Sequence, residues 1–261
     1  MIIAHAIFLG AVQGLSEFLP ISSSGHLLLV PFLFDWETQD IAFDIMVHAA
    51  TLVAVVAVFW KDLWRIAGAL FRGPSFDRTL GWMLIVGTIP VVAVALLLDE
   101  VIDVVRAYPV AVAVSLISWG VMLVIVDRFA SRRLTEICDV SWKAAIGIGC
   151  AQALSLIPGT SRSGITMTAA RLAGFDRSLS ARYSFLLSVP AVAGATVYVV
   201  TDAIAQNVSL FQPSMIAGFF AALVSGILAI RLLLRVIERW TFLPFALYRI
   251  ALGVVILAIV L

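Results

Sequence analysis

The chain has 261 residues, of which 62% are hydrophobic and 13% are charged, and its formal net charge at pH 7 is +1. Its mean hydropathy is +1.10, whereas a soluble domain is roughly half apolar and about one quarter charged. The composition therefore predicts an all-α polytopic membrane protein and excludes a soluble globular domain. It also excludes nucleic-acid binding, which needs a basic face.

Apolar segments of two kinds follow one another along the chain. A membrane span takes about 20 apolar residues in a helix, and six segments fit: 42–60, 80–98, 109–126, 183–201, 214–234 and 244–261. Residues 2–34 and 144–174 are each broken by a polar stretch with Gly and Pro, so we interpret both as re-entrant pairs of half-helices. Residues 61–72 are typical of an amphipathic helix on the membrane surface, and residues 99–108 of a short acidic loop.

Basic residues predict the orientation of these segments. Lys and Arg, including Arg132, gather in three connecting loops, at residues 61–79, 127–143 and 231–243. The loop at 99–108 contains only Arg106, and the loops at 35–41 and 202–213 contain no basic residue. Because basic loops remain in the cytoplasm, both termini are expected on the outer, periplasmic side. The first half-helix pair then enters from outside and the second from inside.

The two broken segments are copies of one another. When the chain is shifted by 139 positions, nine residues in a window of twenty are identical. Gln13, Ser16, Ser22, Ser24 and Gly25 fall on Gln152, Ser155, Ser161, Ser163 and Gly164. Each copy contains one half-helix pair and three spans, and an odd number of crossings inverts the second copy. We therefore predict a single membrane domain of two inverted repeats, at about 1–130 and about 140–261, whose polar tips meet in one site.

The copies differ at the positions that carry chemistry. Glu17 corresponds to Leu156, Ser23 to Arg162, and His26 to Ile165. The first copy thus supplies the acid and the proton-transferring groups, and the second supplies a cation.

Three features of the combined site favour binding of a phosphate. Gln13 and Glu17 are one helical turn apart, which suits Mg²⁺ or Ca²⁺; the alternative is a pair bonded to a neighbouring helix. Helix N-termini rich in hydroxyls attract anions, although such residues also serve only as caps; these residues are Ser22, Ser23, Ser24, Gly25, Thr160, Ser161, Ser163 and Gly164. Arg162 adds a guanidinium, which binds phosphate well.

His26 stands beside the serine cluster, where it can act as a general base, a general acid or a nucleophile. His5 and His48 lack such neighbours in the sequence, and we interpret them as structural. The set of groups fits phosphoryl transfer to or from a lipid-linked phosphate. A transporter of polyprenyl phosphate is the main alternative. An intramembrane protease or acyltransferase would have little use for Arg162.

Residues Gln13–His26 and Pro158–Gly164 closely resemble the two signature motifs of the bacterial undecaprenyl-pyrophosphate phosphatases, the bacitracin-resistance family. The resemblance extends to Phe185–Pro190 and Phe242–Arg249. It implies a divalent-cation-dependent enzyme of the inner membrane that removes the terminal phosphate of undecaprenyl diphosphate, a carrier lipid of cell-wall synthesis. The sequence leaves open whether the chain forms a homodimer.

The resemblance also implies roles for individual residues. Gln13 and Glu17 would hold the metal and the diphosphate, and Ser23 would be the nucleophile. His26 would be its base or the acid, and Arg162 would clamp the phosphate. Many family members have Glu where this chain has Gln13, which contributes less charge for holding a divalent cation.

The orientation can be tested with reporters. Alkaline phosphatase fused after Leu261 is expected to be active, since this end is predicted to be periplasmic, and a green fluorescent protein fused there is expected to stay dark. Fusions after Arg72, in a predicted cytoplasmic loop, are expected to show the reverse. Fluorescence from the Leu261 fusion would overturn the predicted orientation.

Overall fold

A computed structural model describes residues 1–106, 108–131, 133–205 and 212–261. Within these ranges the chain forms eleven α-helices, two 3₁₀ turns at Ile137–Asp139 and Leu154–Leu156, and no β-strand. The helices are α1 Ile3–Phe18, α2 Ser23–Phe34, α3 Ile41–Val58, α4 Trp60–Leu70, α5 Phe76–Arg106, α6 Pro109–Phe129, α7 Trp142–Ala153, α8 Arg162–Leu172, α9 Arg177–Ala205, α10 Pro213–Ile237 and α11 Leu243–Val260. The predicted all-α class is confirmed.

The half-helix pairs are present in both predicted places. Helices α1 and α2, and helices α7 and α8, are too short to span a bilayer singly. Each pair is interrupted by the polar stretch, where Pro20 and Pro158 lack the N–H that a continuing helix needs. The same order of elements, a half-helix pair followed by three long helices, occurs in α1–α6 and again in α7–α11. Helix α4 is present only in the first copy.

Four of the described helices are long and apolar enough to cross a membrane: α5 as far as Leu98, α6, α10 and α11. Helix α3 meets the same test together with α4, from which it is bent by 86°. Residues 183–201 lie within α9, which is 29 residues long but is not one of the four. Helix α4 is the predicted amphipathic helix, and Trp64 on it is 80% exposed.

The prediction of an acidic loop at 99–108 is wrong for most of that range. Helix α5 has a non-helical residue at Leu98 and then continues to Arg106. The reason is that no Gly or Pro occurs between these residues to end a helix. Ala107 and Arg132 lie outside the described residues, as do residues 206–211 of the other predicted outer loop.

Helices of one copy pack on helices of the other copy. Helix α1 packs on α10, α7 packs on α5, and α6 packs on α11. Two of these contacts are backbone to backbone: a Cβ added to Gly10 would lie 2.3 Å from the carbonyl oxygen of Gly218, and one added to Gly149 would lie 2.3 Å from that of Gly87. Small residues allow this close approach of membrane helices. Gly10 and Gly149 are repeat-related, so both copies use the same device.

A buried ion cluster joins the helix ends near the 127–143 segment. Asp127 accepts from Arg177 Nε at 2.8 Å and from Arg171 Nε at 3.2 Å. Its other oxygen accepts from the backbone N–H of Phe242 at 3.1 Å. Arg171 is fully buried. One carboxylate thus connects α6, α8, α9 and the start of α11.

Replacing this carboxylate should destabilise the fold. Asp127→Asn leaves two buried or half-buried guanidinium groups without their counter-charge, which costs about 3–5 kcal/mol. Thermal unfolding in detergent is expected to shift down by several degrees. The matched control is Asp77→Asn, whose pair with Arg65 lies at the surface and is worth about 0–1 kcal/mol. Equal shifts in both variants would contradict the assignment.

Candidate active site

The tips of the two half-helix pairs are in contact. Ser163 Oγ of the second tip donates to the Leu19 carbonyl of the first at 3.0 Å. The Gly159 amide approaches Ser24 Oγ at 3.5 Å. Both turns enter the next helix through a serine with positive φ, 74° at Ser22 and 70° at Ser161. This conformation is unfavourable for a residue with a side chain, and such residues concentrate at functional sites.

Glu17 is the centre of the site. Its Oε1 accepts from Arg162 Nη2 at 2.7 Å, which is an ion pair between the two repeats. Its Oε2 accepts from Ser23 Oγ at 2.7 Å and from Gln13 Nε2 at 3.1 Å. Glu17 is buried, so the carboxylate depends on these donors for its charge to be tolerated. The Ser23 proton points directly at a base.

The N-terminus of α2 is available to an anion. Ser22 makes no capping hydrogen bond to the first turn of α2, whereas Ser161 caps α8 by accepting from the Gly164 amide at 3.1 Å. Uncapped backbone N–H groups at a helix N-terminus favour negative charge. The repeat-related turns therefore differ, and the first one retains the stronger anion-binding capacity.

A cavity of about 440 Å³ opens beside these groups and is lined by residues of both repeats. Six of the predicted site residues line it: Glu17, Ser22, Ser23, Ser24, Ser161 and Arg162. The other predicted site residues are described but are not part of its wall: Gln13, Gly25, His26, Thr160, Ser163 and Gly164. These residues support the wall from behind.

Thr160 and Ser163 illustrate this supporting role. Thr160 Oγ1 lies 3.1 Å from Ser115 Oγ on α6 and is fully buried. Ser163 is also fully buried, and its hydroxyl holds the Leu19 carbonyl. We predicted that both hydroxyls contact the substrate, but neither Thr160 nor Ser163 lines the cavity.

His26 is turned away from Ser23. Its Nδ1 lies 2.7 Å from the Ser22 carbonyl oxygen, and its Nε2 lies 2.7 Å from Tyr248 Oη. A carbonyl oxygen only accepts, so Nδ1 carries the proton, and the neutral ring accepts from the Tyr248 hydroxyl at Nε2. The structure does not bring His26 to Ser23 as predicted, because Glu17 occupies that position. His26 fixes the Ser22 turn instead.

We predict a structural role for His48 from the sequence, but its side chain lines the cavity. Its Nε2 lies 3.9 Å from Glu17 Oε2, and its Nδ1 lies 2.7 Å from the Asp44 carbonyl oxygen. Sequence proximity could not reveal this, since α3 reaches the site only through packing. Asp44 and His48 are one turn apart on α3, and this spacing on a predicted span is the signal that could have identified them.

Arg249 is a second residue that sequence reasoning missed. It is fully buried, and its Nη2 donates to the carbonyl oxygens of Gly159 and Thr160 at 2.9 and 2.8 Å. It therefore holds the second tip from α11. A lone Arg within a predicted membrane span is costly and marks a functional position, so its place in residues 244–261 was an available signal.

Gln13 and Glu17 would hold a divalent cation through oxygen only after their present hydrogen bond is broken, because Gln13 turns its Nε2 and not its Oε1 to Glu17. Gln13 Oε1 is buried and has no hydrogen-bond partner among the residues that the structure describes. The described chain offers no group of three or more His, Cys, Asp or Glu side chains suited to a metal. A cation would thus take its remaining ligands from phosphate oxygens and water, as Mg²⁺ commonly does.

Fold and site together define a polytopic membrane protein in which two repeat-related tips meet around a Glu17–Ser23–Arg162 cluster. The family model described as "Bacitracin resistance protein BacA" matches residues 6–255, and the chain belongs to this family. Proteins named undecaprenyl-diphosphatase are similar over almost their full length. One from Desulforudis audaxviator is 42% identical over 258 residues, covering 98% of this chain and 97% of the relative. One from Moorella thermoacetica is 42% identical, covering 99% and 98%.

Proposed function

We propose that this protein hydrolyses undecaprenyl diphosphate to undecaprenyl phosphate and inorganic phosphate, the activity for which its relatives are named. The observation that carries the proposal is the hydrogen bond from Ser23 to Glu17, made at the uncapped N-terminus of α2 with Arg162 on the same carboxylate. The monophosphate product is the carrier lipid reused in cell-wall synthesis. The family description itself names bacitracin resistance.

The geometry favours Ser23 as the nucleophile and Glu17 as its base. Glu17 takes the hydroxyl proton as Ser23 Oγ attacks the terminal phosphorus. The bond from this phosphorus to the bridging oxygen breaks, and undecaprenyl phosphate leaves with the electron pair. Glu17 then passes this proton to the departing phosphate oxygen and is again a carboxylate. Water next attacks the phosphoserine: Glu17 takes a proton from the water and returns it to Ser23 Oγ as the Oγ–P bond breaks, which releases inorganic phosphate. Direct attack by water activated by Glu17 is the alternative.

Arg162 can bind the phosphate without releasing Glu17. Its Nη2 is used in the ion pair, but its Nε is buried and has no hydrogen-bond partner within the described ranges. This free N–H and the N–H groups of the α2 first turn can neutralise the charge that spreads over the phosphoryl oxygens. His26 and Tyr248 keep the Ser22 turn in place during this step.

The proposal includes a divalent cation, Mg²⁺ or Ca²⁺, held by Gln13 and Glu17 together with the diphosphate. When bound, such a cation supplies positive charge to the diphosphate oxygens. The neutral Gln13 amide currently donates to Glu17, so it holds a cation less strongly than a carboxylate would.

The site is further proposed to face the periplasm, with the polyprenyl tail in the bilayer and the headgroup in the 440 Å³ cavity. This orientation rests on the basic loops, which place the first tip on the outer side. Neither the family description nor the relatives' names mention transport, so the transporter alternative lacks support.

Phosphate release from purified protein with undecaprenyl diphosphate tests the activity. Ser23→Ala, Glu17→Gln and Arg162→Ala are each expected to lower kcat by about 100-fold or more, because each removes a group that acts in the transition state. Ser225→Ala is a matched control, since this hydroxyl bonds only within α10. No release by the wild type with Mg²⁺ or Ca²⁺ present would refute the function. Near-full activity of Ser23→Ala would assign the attack to water.

Gln13→Glu tests the cation. Two adjacent carboxylates repel one another and bind a divalent cation more tightly, so the concentration of Mg²⁺ giving half-maximal activity is expected to fall while maximal activity is retained. Gln13→Met, which removes both oxygen and amide, should show no such gain. A 100-fold loss of maximal activity in Gln13→Glu would mean that the Gln13 amide bond to Glu17, rather than its oxygen, is the essential feature.

A further inference from the structure

Gln13 and Gln152 occupy the same position in the two repeats, and both are fully buried. In the first repeat the amide has a clear task, because Gln13 Nε2 donates to Glu17 one turn later at 3.1 Å. In the second repeat the residue one turn later is Leu156, which offers no acceptor. Gln152 therefore lacks the acceptor that Gln13 has in Glu17.

Gln152 has no substitute partner among the residues that the structure describes. Both Nε2 and Oε1 of its side chain are buried without a hydrogen bond to any described residue. Burying an amide in this state is costly, and such groups are normally satisfied by water or a ligand. Because Gln152 lines the same cavity as Ser23 and Arg162, a molecule in the cavity can satisfy it.

Thr196 on α9 shares this situation. Its hydroxyl is buried with no hydrogen-bond partner in the part of the chain described, and it lines the same cavity. The second repeat thus presents an amide and a hydroxyl, two uncharged groups able to donate, to the cavity. Ser23 and Glu17 of the first repeat line the same cavity.

We propose that Gln152 and Thr196 bind the phosphoryl group that stays on the lipid, while Ser23 and Arg162 act on the one that is removed. This inference rests on the proposed function, since it requires a diphosphate substrate. Gln152 Nε2 and the Thr196 hydroxyl donate to oxygens of the retained phosphate. Neutral donors bind phosphate less strongly than guanidinium does, so the monophosphate product is held firmly enough for catalysis and still leaves.

Inhibition by the two products separates the two subsites. Inorganic phosphate corresponds to the removed group, and a polyprenyl monophosphate to the retained group. In Gln152→Met, a variant of similar volume, the inhibition constant for the monophosphate is expected to rise by about tenfold or more, with that for inorganic phosphate unchanged within about twofold. Thr196→Val should show the same pattern with a smaller rise. Arg162→Lys, if its residual rate is measurable, should instead weaken inhibition by inorganic phosphate.

The matched control is Thr88→Val, because the Thr88 hydroxyl is buried but bonded to the Leu84 carbonyl at 2.8 Å and does not line the cavity. It should alter neither constant. Unchanged inhibition by inorganic phosphate also shows that the Gln152 and Thr196 variants are folded. The inference is overturned if both constants change equally, or if neither changes. Failure of the proposed function is a separate outcome, in which the wild-type protein releases no phosphate at all.

Discussion

The ion pair between Glu17 and Arg162 is the interaction on which the site depends. It joins groups 145 positions apart in the chain at 2.7 Å. A buried carboxylate or guanidinium alone would be strongly destabilising, whereas the pair with its additional hydrogen bonds is tolerated. The first repeat contributes the carboxylate and the second contributes the guanidinium. The two tips must therefore meet for the charge of the buried Glu17 to be neutralised.

The same pair sets the chemistry of the serine. With Arg162 on one oxygen, the other oxygen of Glu17 accepts the hydrogen bonds of Ser23 and Gln13. In the proposed mechanism this second oxygen takes the Ser23 proton. The pseudo-symmetric scaffold is retained in the serine turns, the glutamines and the glycine contacts, while the reactive groups differ between copies. This division gives an asymmetric site, which a diphosphate requires because its two phosphoryl groups have different fates.

Much of the fold was predictable because it follows from local rules. Hydrophobic length predicted the four spans in α5, α6, α10 and α11, the polar stretches predicted the two breaks, and the repeat predicted that the tips meet. The loop at 99–108 was not predictable in the same way, because its charges suggested a connection whereas its lack of Gly and Pro permitted a helix. Helix ends of this kind are decided by competing weak preferences.

The sequence predicted which residues form the site better than it predicted which of them contact one another. Glu17, Ser23 and Arg162 lie together, but neighbours in sequence proved a poor guide to partners. His26 is three residues from Ser23 on the same helix, yet its Nε2 is paired with Tyr248 of α11 while Ser23 donates to Glu17 of α1. His48 and Arg249 reach the site from α3 and α11, and their positions depend on packing that a single sequence does not encode locally.

The packing of helices of one copy on helices of the other has a consequence for biosynthesis. Helix α1 finds its packing partner in α10, which begins only at Pro213. When the first tip emerges from the ribosome, neither the glycine surface that receives α1 nor the guanidinium that neutralises Glu17 has been translated. The first half-helix pair therefore cannot complete its packing until α10, which begins at Pro213 of the 261 residues, has been synthesised.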